Sequence, residues 1–60
     1  MDNFYTLTIK EIADRLHVSQ RTVHRMIADR ELPSFKVRGQ RRVTQGDFDV
    51  YLMNLGAYPE

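Results

Sequence analysis

The sequence contains no cysteine among its 60 residues. This absence excludes a disulfide framework, a thiolate metal site and a thiol nucleophile. No apolar run approaches the roughly 18 residues that a membrane-spanning helix needs. The first six residues, MDNFYT, carry an acid where a signal peptide carries basic residues. We therefore expect a protein of the reducing cytoplasm, with no export signal and no membrane partner.

The side-chain groupings that catalysis or metal binding requires are also missing. Ser19 and Ser34 have no recognisable base and orienting partner, and no glycine-rich phosphate loop is present. His17 and His24 lie seven residues apart with no cysteine to complete a zinc site. A chain this short buries only about 60% of its unfolded surface, so residues 1–60 are predicted to form one domain without a deep pocket. We expect no enzyme activity, no cofactor and no metal.

Positive charge is concentrated in the middle of the chain. The net charge is only +1, but residues 17–43 contain seven Lys and Arg residues against two Asp and Glu residues. Residues 1–16 and residues 44–60 each carry a net negative charge. Seven of the nine cations are arginine, whose planar guanidinium suits bidentate contacts with phosphate or guanine. A basic surface bounded by acidic ends is typical of a protein that binds a polyanion.

Residues 8–27 predict two short helices joined by a tight turn. Thr8 and Glu11 have the spacing of a capping box, so the first helix is predicted over about Ile9–Leu16. His17 falls in the turn, where the backbone needs a positive φ that histidine tolerates at some cost. Apolar residues recur at helical spacing on one side of each helix, at Ile9, Ile12, Ala13 and Leu16 and then at Val23, Met26 and Ile27.

The second helix is predicted over about Gln20–Asp29, with Ser19 as its N-cap. Pro33 restricts Leu32 and ends the helical stretch, and Leu32 is expected to fold back onto the core. Two short helices with facing apolar stripes and a turn of three or four residues form the helix-turn-helix pattern.

A basic β-hairpin is predicted after the helix pair. Phe35 and Val37 alternate with Lys36 and Arg38, which is the period of a half-buried strand, so Phe35 and Val37 are expected on its buried face. Gly39-Gln40 is predicted to be the two-residue turn, with glycine at the position of positive φ. Val43 is expected to carry the buried face of the return strand.

Two further segments complete the domain. Met1–Leu7, which includes Phe4 and Tyr5, is expected to lie extended on the core as a brief edge strand. Thr44 has the position of an N-cap for a third helix that ends near Gly56. The apolar face of this helix is predicted to hold Phe48, Tyr51, Leu52 and Leu55. The predicted fold is therefore mostly α-helical, with three helices and a small β-hairpin.

The polar side of the second helix and the hairpin tip have the residue types that read DNA. Arg21 and Arg25 suit guanine, Gln20 suits adenine, and His24 suits a base or a sugar. Ser19 and Thr22 lie at the helix start, where free N–H groups favour a phosphate. The hairpin tip offers Arg38, Gln40, Arg41 and Arg42 to the backbone or to a narrow minor groove.

The chain resembles the small winged helix-turn-helix domains of the excisionase type, which are related to the DNA-binding domain of the MerR regulators. The matching residues read LTIKEIADRLHVSQRTVHRMI, ELPSFKVRGQRRV and DFDVYL, and they lie within about Leu7–Leu52. Arg30 departs from the pattern, since a glycine is common before this Glu-Leu-Pro stretch. The resemblance implies that the helix after Ser19 enters the major groove and that the wing, Arg38–Arg42, contacts the backbone or the minor groove.

The resemblance also implies a role. Excisionase-type proteins bind adjacent DNA sites and shape them for the integrase of a phage or mobile element, and they bind cooperatively in head-to-tail arrays. The chain ends at Glu60 without the long dimerising helix of a full MerR regulator, which favours the excisionase type. The implied partners are double-stranded DNA, a site-specific integrase and further copies of the protein. A small transcriptional regulator and a protein-interaction module on the same scaffold are the alternatives.

Overall fold

The computed structural model describes residues 5–56, so Phe4 and the rest of the predicted lead-in before Tyr5 lie outside the described residues. Three helices and three strands follow one another in the order β1 (Thr6–Thr8), α1 (Ile9–Leu16), α2 (Gln20–Ala28), β2 (Phe35–Val37), β3 (Gln40–Thr44) and α3 (Gln45–Asn54). This is the predicted winged helix-turn-helix, with β2 and β3 as the wing.

Helix α1 begins and ends where its local signals indicate. The Thr8 hydroxyl accepts from the Glu11 N–H at 3.2 Å, and the Glu11 carboxylate accepts from the Thr8 N–H at 2.8 Å, which completes the capping box. His17 follows the helix at φ 58°, in the left-handed region. The Val18 N–H then donates to the Ala13 carbonyl at 3.0 Å, which satisfies a carbonyl of the last turn. The predicted positive φ at His17 is confirmed.

Helix α2 ends at Ala28, one residue before the predicted boundary, because a second left-handed residue closes it. Arg30 has φ 62°. Its N–H donates to the Ile27 carbonyl at 3.0 Å, and the Glu31 N–H donates to the Met26 carbonyl at 2.9 Å. These two bonds define a Schellman motif whose left-handed position usually holds glycine. A side chain there costs about 1–2 kcal/mol, and this chain places an arginine in it.

The sheet has one strand more than the predicted hairpin. Its order is β1-β3-β2, and both pairs are antiparallel. The lead-in supplies β1, which is an edge strand as expected, with Leu7 opposite Val43. The wing is therefore joined directly to the strand that precedes α1.

The turn of the wing lies one residue earlier than predicted. Val37 pairs with Gln40, so the two-residue turn is Arg38-Gly39 and not Gly39-Gln40. Both turn residues have positive φ, 52° for Arg38 and 82° for Gly39, as a type I′ turn requires. This turn matches the twist of the flanking strands, and it moves Gln40 into β3.

The prediction that Phe35 and Val37 lie on a buried face of the strand is wrong. Their side chains are 40% and 42% exposed. Phe35 lies opposite Arg42 in the register, on the face of the sheet away from the buried Val43. No helix in the described part of the chain covers that face of β2, and all three residues of the strand are exposed.

The core lies between the two helices of the pair, the inner face of the sheet and the start of α3. Within residues 5–56 its buried side chains are Leu7, Ile9, Ile12, Ala13, Val23, Met26, Leu32, Val43 and Phe48. Leu16, Ile27, Tyr51 and Leu52 pack against them. Leu32 folds back onto the core as predicted. Leu55, which was expected on the apolar face of α3, is 61% exposed because it lies beyond the last helical residue as the C-cap.

Candidate nucleic-acid interface

Helix α2 presents one broad polar face to solvent. Val23 and Met26 are buried against the core. Successive residues of a helix are rotated by about 100°, so the opposite side is formed by five exposed residues. These residues are Gln20, Arg21, His24, Arg25 and Ala28. The four polar side chains that were predicted to face DNA therefore share one surface.

The start of α2 is built by two hydroxyl side chains. The Ser19 hydroxyl accepts from the Thr22 N–H at 3.1 Å, and the two hydroxyl oxygens lie 3.0 Å apart. Helix geometry leaves the N–H groups of Gln20 and Arg21 without an intrahelical acceptor. Ser19 and Thr22 thus hold the helix start in shape, and the adjacent N–H groups are the ones suited to an anion.

The wing tip is compact and basic. Arg38, Gly39, Gln40 and Arg41 are all exposed. A Cβ atom on Gly39 would meet no heavy atom within 4 Å, so its φ of +82°, and not a lack of space, favours glycine there. The tight turn carries the guanidinium of Arg38 on a residue that is itself left-handed.

Arg41 and Arg42 lie on opposite faces of the sheet. Arg41 lies two residues before Val43 in β3, so both side chains are on the face of the sheet that packs against the helices. The Arg41 Nη1 donates to the Ser34 hydroxyl at 3.2 Å. Arg42 is half-buried on the other face, where its Nη1 donates to the Thr6 hydroxyl at 3.4 Å. The Nε of Arg42 is buried, and it has no hydrogen-bond partner among residues 5–56. The sequence grouped both arginines at the wing tip, whereas the structure separates Arg42 from that surface.

A concave surface joins α2 to the wing. We call it the proximal groove, and its volume is about 410 Å³. It is lined by Thr8, Ile9, Lys10, Gln20, His24, Gly39, Gln40 and Arg41. The recognition helix and the wing, which are separate in sequence, therefore meet at one surface. Lys10 was not predicted to belong to this surface, because in the sequence it is an ordinary exposed residue of α1. Its only distinguishing feature is its position two residues after the capping Thr8.

A second concave surface lies at the other end of α2. We call it the distal groove, and its volume is about 510 Å³. It is lined by Ile27, Ala28, Arg30, Leu32, Pro33, Ser34 and Arg41. Arg41 lines both grooves and so forms the ridge between them. Arg30 was likewise not predicted to line this surface. The sequence showed only that it replaces a glycine common at this position in the family that the chain resembles.

Two acidic side chains, Glu11 and Asp49, accept hydrogen bonds from residues close to them in the chain. A hydrogen bond from the Thr8 N–H holds the pKa of Glu11 below its ordinary value of 4.5, and Arg15 and Arg42 lower the pKa further. The Asp49 carboxylate accepts from the Gln45 amide at 3.0 Å. Among residues 5–56, no three His, Cys, Asp or Glu side chains are grouped as metal ligands. No helix in the same part of the chain is long and apolar enough to cross a membrane.

The fold and the basic surface together define a winged helix-turn-helix DNA-binding domain. A sequence model described as a helix-turn-helix domain matches residues 6–55, which is most of the chain. The protein therefore belongs to this helix-turn-helix family, whose members bind DNA and are typically not enzymes. No curated protein and no solved structure matches the chain.

Proposed function

We propose that the protein is an architectural, sequence-specific DNA-binding protein of the excisionase type. In this proposal α2 enters the major groove, and the wing tip contacts the backbone or inserts into the minor groove. The single observation that carries it is the proximal groove, where Gln20 and His24 of α2 face the same space as Gln40 and Arg41 of the wing. A surface of this kind contacts a base edge and the adjacent phosphates at once.

The proposal divides the interface into base readers and backbone contacts. Arg21 and Arg25 lie on the outer side of α2 and are assigned to guanine, and Gln20 is assigned to adenine. His24 lies on the side of α2 that lines the proximal groove, and it is assigned to a sugar or a base edge. Arg38, Gln40, Arg41 and Lys10 are assigned to phosphates, together with the α2 start held by Ser19 and Thr22. Arg42 is assigned to the sheet and not to DNA.

The recombination role is the finer part of the proposal. The family that the chain belongs to includes excisionase-like domains. On this basis we propose that the protein shapes DNA for a site-specific integrase, that neighbouring copies bind cooperatively, and that the protein resides with the cellular DNA. The alternative is a small transcriptional regulator on the same scaffold. A regulator needs only to occupy its site, whereas an architectural protein also changes the shape of the bound DNA.

Salt dependence tests DNA binding itself. If the domain neutralises about five phosphates, the logarithm of the binding constant falls with the logarithm of salt concentration at a slope of about −4 to −5. Fluorescence anisotropy with a labelled mixed-sequence duplex measures this slope. A flat response, or no binding at moderate salt, would overturn the proposal in favour of a protein-interaction module.

Bending of the bound duplex separates the two DNA-binding roles. Duplexes selected from a random pool for binding are labelled at both ends, and the end-to-end energy transfer is compared with and without protein. An architectural protein shortens the end-to-end distance, and the effect grows as copies fill adjacent sites. An unchanged distance at full occupancy would favour the transcriptional regulator.

A further inference from the structure

The geometry points to a second phosphate subsite in the distal groove, formed by Arg30, Arg41 and the Ser34 hydroxyl. This inference rests on the proposed function and extends it to the far end of α2. Arg30, Arg41 and Ser34 all line one open concavity. A DNA phosphodiester is the ligand that such a set of donors recognises, because it accepts several charge-assisted hydrogen bonds at once.

The backbone conformation of Arg30 is the first observation behind this assignment. Arg30 has φ 62° and closes the Schellman motif, in which glycine is the residue free of strain. The chain carries an exposed arginine there instead. A non-glycine residue kept in a strained position is a reason to look for a function of its side chain, and here that side chain lines a basic surface.

The position of the groove is the second observation. Ala28 lines it, and Ala28 belongs to the same exposed face of α2 as Arg21, seven residues earlier. Arg41 is the ridge shared with the proximal groove. The two grooves therefore adjoin at Arg41, and in this proposal a duplex that contacts α2 and the wing tip reaches the distal groove as well.

The hydrogen bond of Arg41 is the third observation. Its Nη1 donates to the Ser34 hydroxyl at 3.2 Å, which directs the guanidinium toward the segment between α2 and the wing. The same bond leaves the remaining N–H groups of a five-donor side chain for another acceptor. Arg41 and Arg30 line the same groove, and the proposal assigns them to one shared phosphate.

The decisive variant is Arg30→Gly, because the subsite and the backbone strain predict effects of opposite sign. The midpoint of thermal unfolding rises by a few degrees, since glycine relieves the left-handed strain. The affinity for a short mixed-sequence duplex falls about three- to tenfold at moderate salt, and the salt slope becomes less negative by about 0.9. Circular dichroism measures the first effect, and fluorescence anisotropy measures the second.

Three further variants isolate the cause. Arg30→Ala removes the charge but keeps the strain, so it loses the same affinity without the gain in stability. Arg30→Lys keeps a point charge and retains most of the salt slope. Arg15→Ala removes one arginine from α1, outside both grooves, and controls for the change in net charge; its salt slope stays that of the wild type.

The double variant Arg30→Ala/Arg41→Ala tests whether the two arginines share a phosphate. A shared phosphate makes the combined loss smaller than the sum of the single losses. Additive losses, or wild-type affinity and slope for Arg30→Gly, would overturn the subsite while leaving the proposed function intact. Absence of DNA binding by the wild-type chain would overturn the proposed function, and the subsite with it.

Discussion

Arg41 and Arg42 are adjacent in the chain, yet strand alternation directs them to opposite faces of the sheet. Arg41 faces the two grooves, whereas Arg42 is half-buried against Thr6 on the outer face. Both have the same side chain and the same formal charge. The different surroundings therefore predict different consequences for binding and for stability, which is a test at the level of single residues.

Alanine substitution of these two neighbours is expected to separate binding from folding. Arg41→Ala weakens binding to every duplex alike and makes the salt slope less negative by about 1, because a phosphate contact is lost. Arg42→Ala lowers the free energy of unfolding by about 1 kcal/mol, because its stem packs on the sheet and one hydrogen bond is lost. Its affinity per folded molecule stays that of the wild type. Equal losses of affinity for both variants would contradict the division of the sheet into two faces.

The recognition helix gives the second residue-level prediction. Arg21→Ala is expected to cost about 1–3 kcal/mol on a selected site and to relax the preference at one base pair, if Arg21 contacts guanine as proposed. Its cost on random DNA is smaller. Selection from a random pool with each variant measures the change in preference. Arg41→Ala is the matched control, and an equal loss on selected and random duplexes for both variants would show that α2 does not specify sequence.

At the scale of the elements, the helices were predictable and the details of the sheet were not. Each helix start is encoded within four residues, as in Thr8 with Glu11, where the side chain bonds the backbone three positions on. The burial of each face of β2 depends on which elements pack against it. No local sequence signal indicates that Phe35 is exposed to solvent. The turn register likewise depends on both Arg38 and Gly39 adopting positive φ. An arginine in the sequence gives no signal that it will adopt this conformation.

The capping box of α1 makes stability depend on pH. A hydrogen bond from the Thr8 N–H is the main reason that the pKa of Glu11 lies below its ordinary value of 4.5, with Arg15 and Arg42 adding to it. Because the pKa is lower in the folded state, the ionised carboxylate stabilises the fold above pH 4.5. This contribution is lost as the pH falls through the folded-state pKa.

Chemical unfolding between about pH 6 and pH 3 measures this contribution. The wild type is expected to lose stability on acidification more steeply than Glu11→Gln, in which the amide keeps the shape and an acceptor oxygen but does not titrate. The two proteins differ most above pH 4.5 and converge toward acid. Parallel pH profiles would show that the Glu11 carboxylate contributes nothing to the pH dependence.

At the scale of the whole molecule, the proposed interface is assembled from segments far apart in sequence. The proximal groove combines Lys10 of α1, Gln20 and His24 of α2, and Gln40 and Arg41 of the wing. Charge clustering along the chain predicted the contributions of α2 and the wing. It did not predict Lys10, which lies in a segment of net negative charge and joins the groove only because β1 pairs with β3. The sequence therefore indicates the class of partner, and the fold decides which cations line the surface proposed to bind it.

Because the domain is small, bound DNA is expected to add a large fraction to its free energy of unfolding. A 60-residue chain has a modest core, so its free energy of unfolding is small. A ligand that binds only the folded state at 100 times its dissociation constant adds about 2.7 kcal/mol. For a domain of this size each kcal/mol raises the unfolding midpoint by about 4–8 °C, so saturating duplex is expected to raise it by more than about 10 °C.

Differential scanning fluorimetry with and without a mixed-sequence duplex measures this shift. Because binding depends on phosphate contacts, the shift is expected to collapse as salt rises at fixed DNA concentration, while the midpoint of the free protein changes little. Arg41→Ala needs more duplex to reach the same midpoint, whereas Arg15→Ala behaves as the wild type, since Arg15 lies outside both grooves. A DNA-induced shift that survives high salt would mean that phosphate contacts do not dominate binding, which contradicts the assignment of the wing tip and the distal groove to DNA phosphates.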